Sequence, residues 1–510
     1  MHTLKVTLKQ HTPLIHFQHD QDGATLRASE VKPKLDRFIL TKLGNGNYQE
    51  GVKLAKANGW LVGKGEHPAL DYKMRIEDED TNLFSFFTNT KREYTERDEK
   101  KDSENKDKSK RKVLRYVRNG DVIENVERNV RYIIRQGDKR YFAKLKKSDS
   151  RIIYDLKSYP CFFANMDSDI TNSDEYKKIT YAENPFDLIL NTKHKELYNV
   201  LSGQGFLASF FLHHNFGTRQ SKGFGSFYLD EEDPLFVQPN SEYNFVIAID
   251  VEYYNEEFIS LFQSIELFYR AIRSGINNKN GRDTVFYFKS LAFLYCKNVL
   301  KGEWDKKKVK SKFYFEDSDR RKDSLSKQRR EYPDDNYHDI LFFDVANGYD
   351  IRDLFGFSTN EEWQSYKDSI EKKVALCSED GKFLYPRKDE QLPVDRMRSP
   401  LLIKPICSVD EDGNVSYRIY LLFQDKNVGL SGMKQQKKIC FFSKKEKDKK
   451  GFPKRFMLDL PQKFSMQGFF DYIFKESNFD IESYVEPRYQ DRDEYFLLRD
   501  IFSQLNNHEQ

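Results

Sequence analysis

An α+β fold is what the sequence predicts, and three observations carry that prediction. Leu4, Val6 and Leu8 alternate with Lys5, Thr7 and Lys9, the period of a strand buried on one face. Phe258 to Ser274 carries apolar residues at helical spacing, an amphipathic helix. Short apolar runs such as Phe245-Val246-Ile247-Ala248-Ile249 read as buried strands between such helices. Short strands and helices mixed in this way pack as helix-on-sheet layers rather than as an all-helical or all-β body.

The first strand ends near Thr12-Pro13, since proline cannot donate to a central ladder. A polar loop follows, and Pro33 suits the first position of a helix, because it biases Lys32 away from helical backbone. That helix presents Leu35, Phe38, Ile39 and Leu43 on one stripe and stops at Gly44. Phe186 to Leu190 is a strand, and Glu196 to Phe211 has helical spacing weakened by Gly203 and Gly205. A glycine-punctuated turn then leads into a strand near Phe227, and further strands are expected at Leu401 to Ile406 and Tyr417 to Phe423. No fixed-period repeat is visible.

At 510 residues the chain exceeds one compact core, and about two to four units are expected. Charged residues are 33% of it, which places it among surface-rich globular chains, and no apolar run reaches membrane-spanning length. Met1 to Gln10 has no apolar segment of signal-peptide type, and the five cysteines stand far apart with no CxxC pair. Those features predict a cytoplasmic protein without a disulfide framework, zinc knuckle or other cofactor.

Net charge is +4, but its distribution is uneven: Lys301 to Arg330 holds 12 basic and 6 acidic residues. Lys444 to Arg455 holds seven basic residues against Glu446 and Asp448. Lys91 to Lys112, with 17 charged residues in 22, cannot bury enough to order itself and reads as a flexible insertion. Ser443 to Lys450 reads as a further solvated loop. With 42 Phe and 30 Tyr in the chain, basic segments interleaved with rings suit a single-stranded nucleic acid, cations following phosphates and rings stacking on bases. A biased composition with solvated charge runs reads equally well from the same counts.

The most informative stretch is Gly217-Thr218-Arg219-Gln220-Ser221-Lys222-Gly223-Phe224-Gly225-Ser226. Three glycines let the backbone turn tightly and let another chain approach. Arg219 and Lys222 supply charge there, Thr218 and Ser221 supply hydroxyls, and backbone N–H groups in such a turn form an anion-binding concavity. The bland alternative is a turn with incidental charges. It is not a Walker loop, because GxxxxGK[ST] is absent. A second cluster, Arg27, Lys32 and Lys34, falls at the expected helix N-terminus, where the dipole favours an anion; a solvated first turn is its alternative.

Together these stretches resemble the RAMP superfamily of CRISPR effector proteins, most closely the two-domain RAMP subunit of type III-B (Cmr) complexes. Thr12-Pro13-Leu14 fits the turn after that family's first strand. Leu26, Arg27, Ala28, Val31, Lys32 and Leu35 fit its L-R-A-x-x-[IV]-K-G-x-L-R segment. Gly217, Arg219, Gly223, Phe224, Gly225 and Ser226 fit its glycine loop, with Lys222 in place of an arginine. Arg398 to Ile403 is similar to the start of a strand in the second half of such a subunit. Two positions depart: Pro33 replaces the family glycine and Asp36 its arginine, with Arg37 one place late.

The resemblance implies two ferredoxin-like (RRM-like) RAMP domains with long charged insertions. The first would span 1–238, with an insertion at about 90–112, and the second 239–510, with basic insertions at about 301–330 and 443–455. It implies a non-catalytic RNA-binding subunit of an antiviral ribonucleoprotein, packed beside other RAMP subunits and away from membranes. Guide or target RNA would be held by its backbone through Arg27, Lys32, Lys34 and the loop residues Gly217, Thr218, Arg219, Ser221, Lys222, Gly223, Phe224 and Gly225. Repeat-processing endoribonucleases of the superfamily use a histidine as acid or base, and other RAMP subunits cut target RNA with a loop aspartate. That leaves His11, His16, His19, His213 and His214 as candidates for a metal-independent endoribonuclease processing repeat RNA, and Asp20 or Asp22 as the candidate for a target-cutting loop aspartate. A RAMP-fold protein-interaction scaffold without an RNA role is the third reading.

Overall fold

The computed structural model describes residues 1–14, 26–63, 68–77, 178–182, 184–249, 254–280, 283–301, 348–349, 351–358, 399–424, 464–476 and 478–506. It also describes separate strands between 83 and 154, at 303–304, and between 361 and 459. The fold is α+β. The chain divides into two compact units: residues 1–239 with 248–266 and 405–417, and residues 240–247 with 267–404 and 418–510.

The first unit opens with β1 (His2–Gln10), whose even residues Leu4, Val6 and Leu8 are buried while Lys5 and Lys9 point away from the core. α1 (Ala28–Leu43) buries Val31, Leu35, Ile39 and Leu40 and ends at Gly44. It begins five residues before Pro33, which corrects the expected start. A proline there has no N–H to give the Ser29 carbonyl, and the helix forms around that lost bond. α2 (Tyr48–Ala57) follows, its first turn capped by the Asn47 side chain on the Gln49 and Glu50 amides. β2 (Tyr72–Glu77) and β3 (Phe186–Thr192) complete the centre of a sheet.

The predicted single helix at 196–211 is two helices, α3 (Lys195–Leu201) and α4 (Phe206–Leu212). Gly205 sits between them at φ +76°, a left-handed conformation that ends one helix and starts the next. β4 (Phe227–Leu229) then joins the sheet edge. The order is β4-β1-β3-β2, and β1 pairs antiparallel with both β3 and β4, as β3 does with β2. Chain order is therefore strand, helix, strand, strand, helix, strand. The core consists of the inward strand residues with Leu207, Phe210, Phe211, Phe216 and Phe227. Phe227 alone contributes roughly 2–3 kcal/mol by leaving water. Between β2 and β3 the chain also carries an antiparallel meander of five strands from Val117 to Tyr154.

The second unit contains most of β5 (Tyr243–Ile249), the latter part of α5 (Tyr254–Arg273), the first four residues of β6 (Leu401–Val409) and most of β7 (Val415–Phe423). These strands form a sheet in the order β5-β7-β6. α6 (Asp493–Asn506) buries Leu498, Ile501, Phe502 and Leu505, and Phe502 lies 5.6 Å from Phe474 by ring centroids. Lys437–Lys447 and Pro453–Asp459 pair antiparallel. That corrects the reading of Ser443 to Lys450 as a solvated loop: strand continues through Lys447, with Ser443 opposite Ile370 and Lys447 opposite Pro453. Residues 90–112 lie outside the described residues, as do 305–330.

Candidate nucleic-acid interface

The glycine loop is fastened at its base to the end of β1. His11 donates its amide to the Ser226 carbonyl (2.8 Å), Gly225 donates to Pro13 (2.8 Å), and Phe216 donates to Gly225 (2.9 Å). The Thr12 hydroxyl donates to the Gly223 carbonyl (2.6 Å) and accepts from the Ser226 amide (2.9 Å). Thr12-Pro13-Leu14 and the loop therefore form one buried joint. The Ser226 hydroxyl donates to the Pro405 carbonyl (2.6 Å), and the Cys407 amide donates to His11 Nδ1 (3.1 Å).

Two glycines are required by this joint. Gly225 has φ +63°, and a Cβ there would run into the Phe216 carbonyl. Gly223 has φ +90°, and a Cβ would come 3.0 Å from Pro405 Cγ and 3.3 Å from Ile265 Cδ1. Gly217, Gly223, Phe224 and Gly225 are all buried. Phe224 is wholly so, with its ring stacked on Phe262 at 3.8 Å and 5°. This corrects the expectation that Phe224 serves as a surface for nucleic acid: the ring is a core residue.

What reaches solvent is the tip. Thr218, Arg219, Gln220, Ser221 and Lys222 are each partly exposed. Lys222 donates its amide to the Arg219 carbonyl (2.8 Å), closing a tight turn with Arg219 at φ +55°. That left-handed conformation in a residue with a side chain costs about 1 kcal/mol or more, a strain the joint below must hold. Partial burial pushes the Arg219 guanidinium down from its ordinary value to about 10, so it stays charged at neutral pH.

Lys34 reaches the same turn from α1. Its ammonium donates to the Asn215 carbonyl (2.7 Å) and to Gln220 Oε1 (2.8 Å), and stands 4.6 Å over the Phe216 ring. Gln220 in turn donates to the Gly217 carbonyl, and Asn215 donates to Gln220. Lys34 thus acts as a brace behind the tip. Lys32 is engaged elsewhere, on both oxygens of Asp36 (3.1 and 2.9 Å), on the Leu70 carbonyl (2.9 Å) and over the Tyr72 ring. Arg27 is the N-cap residue of α1, with extended backbone and no side-chain cap bond. The expected cluster of three cations at a helix N-terminus is therefore corrected: only Arg27 lies there, and the lysines fall one to two turns along.

Among the histidines, His213 Nδ1 donates to Ser209 (2.8 Å) and His214 Nδ1 donates to Phe210 (2.7 Å). Both satisfy carbonyls at the end of α4. His11 is buried and uses Nδ1 as an acceptor. His16, His19, Asp20 and Asp22 lie outside the described residues. Among the described residues no group of three or more His, Cys, Asp or Glu side chains could hold a metal ion, and no helix is long and apolar enough to cross a membrane.

Sequence reasoning missed Asn215, Gln220, Phe262 and Pro405. Asn215 just before the glycines and Gln220 between Gly217 and Gly223 could have been read as loop-stabilising amides. Phe262 and Pro405 carry no local signal, since their partners lie tens to hundreds of residues away.

Comparison with known families places matches along most of the chain. The Cmr1 N-terminal domain matches residues 1–138 and 83–276, and the Cmr1 C-terminal domain matches residues 287–495. No curated protein matches the sequence.

Proposed function

This chain belongs to the Cmr1 family, two-domain RAMP subunits of type III-B CRISPR complexes, and from that premise we propose that it binds guide or target RNA by the sugar-phosphate backbone at residues 218–222. The carrying observation is the build of the loop. A rigid joint of Thr12, Gly223, Gly225 and Ser226 holds a strained turn whose partly exposed residues are two cations, two hydroxyls and the Gln220 amide, which is engaged by Lys34 and the Gly217 carbonyl. Arg219 and Lys222 neutralise phosphates, Thr218 and Ser221 donate to phosphate oxygens, and the one amide at the tip, Gln220, is held by Lys34 and the Gly217 carbonyl rather than turned to a base edge. Sequence recognition is left to base pairing.

The first unit is read as a ferredoxin-like domain, supported by its strand-helix-strand, strand-helix-strand order and its β4-β1-β3-β2 antiparallel sheet. The three strands β5, β7 and β6 with α5 support a second domain of the same type. The protein acts without catalysing cleavage, in antiviral defence, beside other Cmr subunits. His11 supports that reading, because it is buried with its Nδ1 accepting from the Cys407 amide.

The test is to isolate the tagged full-length protein from its host, photocrosslink the RNA and map the crosslinked peptides. Crosslinks within residues 215–226, with CRISPR-derived RNA and Cmr subunits co-purifying, are expected. Co-purifying subunits with no RNA crosslink to this peptide would leave a protein-interaction scaffold instead.

A further inference from the structure

The face of the first unit's sheet that points away from its helices has a composition of its own. On β1 the outward residues include Lys5 and Lys9, and on β2 they include Lys73 and Arg75. Register sets Lys5 opposite Ile189 of β3 and Ile189 opposite Arg75, so one row across the sheet reads cation, aliphatic, cation. Ile189 is only 6% exposed, flanked by those two long side chains. The next row carries Asp187 opposite Glu77, with Lys5 Nζ 2.7 Å from Asp187 and Arg75 2.7 Å from Glu77. Lys5 and Arg75 nevertheless keep 62% and 65% of their side chains in water. Such exposed pairs hold cations in place weakly and yield them to a stronger anion.

Among the described residues the outward positions of β1, β2 and β3 carry no aromatic ring, and the one ring on this face from β4, Tyr228 opposite Lys9, is buried with its hydroxyl donating to the Val237 carbonyl. Sheets of this topology that take splayed single strands offer rings there on which the bases stack. Here an unpaired base gains nothing, whereas phosphates meet cations spaced about 6.7 Å apart along β2 and about 10 Å apart across the sheet. In a duplex the bases stack on one another and only the backbone faces outward.

We propose that this sheet face, which offers no exposed ring, is a second polyanion surface that takes the sugar-phosphate backbone of a short RNA duplex. It rests on the RNA-binding reading above but on a different surface from the glycine loop. The outward cations at Lys5, Lys9, Lys73 and Arg75 exceed the carboxylates Asp187 and Glu77 and give the face its sign.

The test measures fluorescence anisotropy of a labelled short RNA duplex and of its unpaired strand, each with the full-length protein over a salt series. Lys5→Ala, Lys73→Ala and Arg75→Ala combined should weaken duplex binding by about tenfold or more, and flatten its salt dependence by up to about 0.9 per lost phosphate contact. Unpaired-strand binding should stay within about twofold, since the Arg219 and Lys222 contacts at the loop are untouched. Asp187→Asn with Glu77→Gln, which frees Lys5 and Arg75 and cannot act by unfolding, should tighten the duplex severalfold. Duplex affinity unchanged in both variants overturns the proposal, and so does loss of a neighbouring subunit from the triple variant with duplex affinity intact. Failure of the wild-type protein to bind either RNA would instead remove the loop reading as well, which separates the two.

Discussion

Phe224 lies flat on Phe262, ring centroids 3.8 Å apart and planes 5° from parallel. The contact joins a loop residue to a helix residue 38 positions on, and it converts an apparent nucleic-acid ring into the floor under a cationic tip. Phe224→Ala should therefore lower stability by about 3–5 kcal/mol, the cost of emptying a wholly buried aromatic site. Urea unfolding followed by tryptophan fluorescence measures it. The slope of RNA binding against salt should stay unchanged in whatever folded fraction remains, because no phosphate contact is removed.

Gly225→Ala should destabilise by more than about 2 kcal/mol, since φ +63° and the Phe216 carbonyl both oppose a Cβ. Gly46→Ala is the control: it also has positive φ, at +94°, but open space around it, so only the backbone term of about 1 kcal/mol is expected. A larger loss at Gly46 than at Gly225 would contradict the close packing of the joint. Thermal unfolding of the two variants side by side decides it.

Lys34→Met removes two charge-assisted bonds to the loop while keeping the apolar stem over Phe216. Its expected cost is about 1.5–3 kcal/mol, with faster amide exchange across residues 215–222. Lys32→Met, by contrast, leaves Asp36 buried without its ion pair and should speed exchange near Leu70 rather than in the loop. Exchange mass spectrometry separates the two lysines.

Arg219 sets a pH expectation. Its folded value is depressed by burial, so the folded state holds its proton less tightly than the unfolded chain. The penalty of burying that charge is present below about pH 10 and is relieved as pH rises from there toward the unfolded value. Across roughly pH 6 to 8 the guanidinium stays charged, and RNA affinity should be flat over that window. A titration in affinity near the ordinary histidine value, about 6.5, would point instead to His16 or His19. His16→Ala and His19→Ala are expected to change neither RNA affinity nor the integrity of bound RNA.

Much of this was legible in the sequence. Alternation at Leu4, Val6 and Leu8 located β1, and apolar runs located β3, β5, β6 and β7, because a strand buried on one or both faces leaves its period in the residues. The glycines at 217, 223 and 225 marked the loop for the same kind of reason, since each has positive φ. The start of α1 was not legible: Pro33 argues locally for a helix start, and only the packing of Val31 and Leu35 on the sheet explains why the helix begins earlier. Nor was the division of labour among the cations. Lys32, Lys34 and Arg219 look alike in sequence, and what separates a salt-bridged lysine, a brace and an accessible tip is set by Asp36, Asn215 and Gln220 reaching them in space.

The most direct test of the account is the salt dependence of single-stranded RNA binding by the full-length protein and by Arg219→Ala with Lys222→Ala. Two lost phosphate contacts should shallow the slope of log affinity against log salt by about 1.4, with folding unchanged. An identical slope and affinity in the variant would contradict the claim that the turn at residue 220 grips a nucleic-acid backbone.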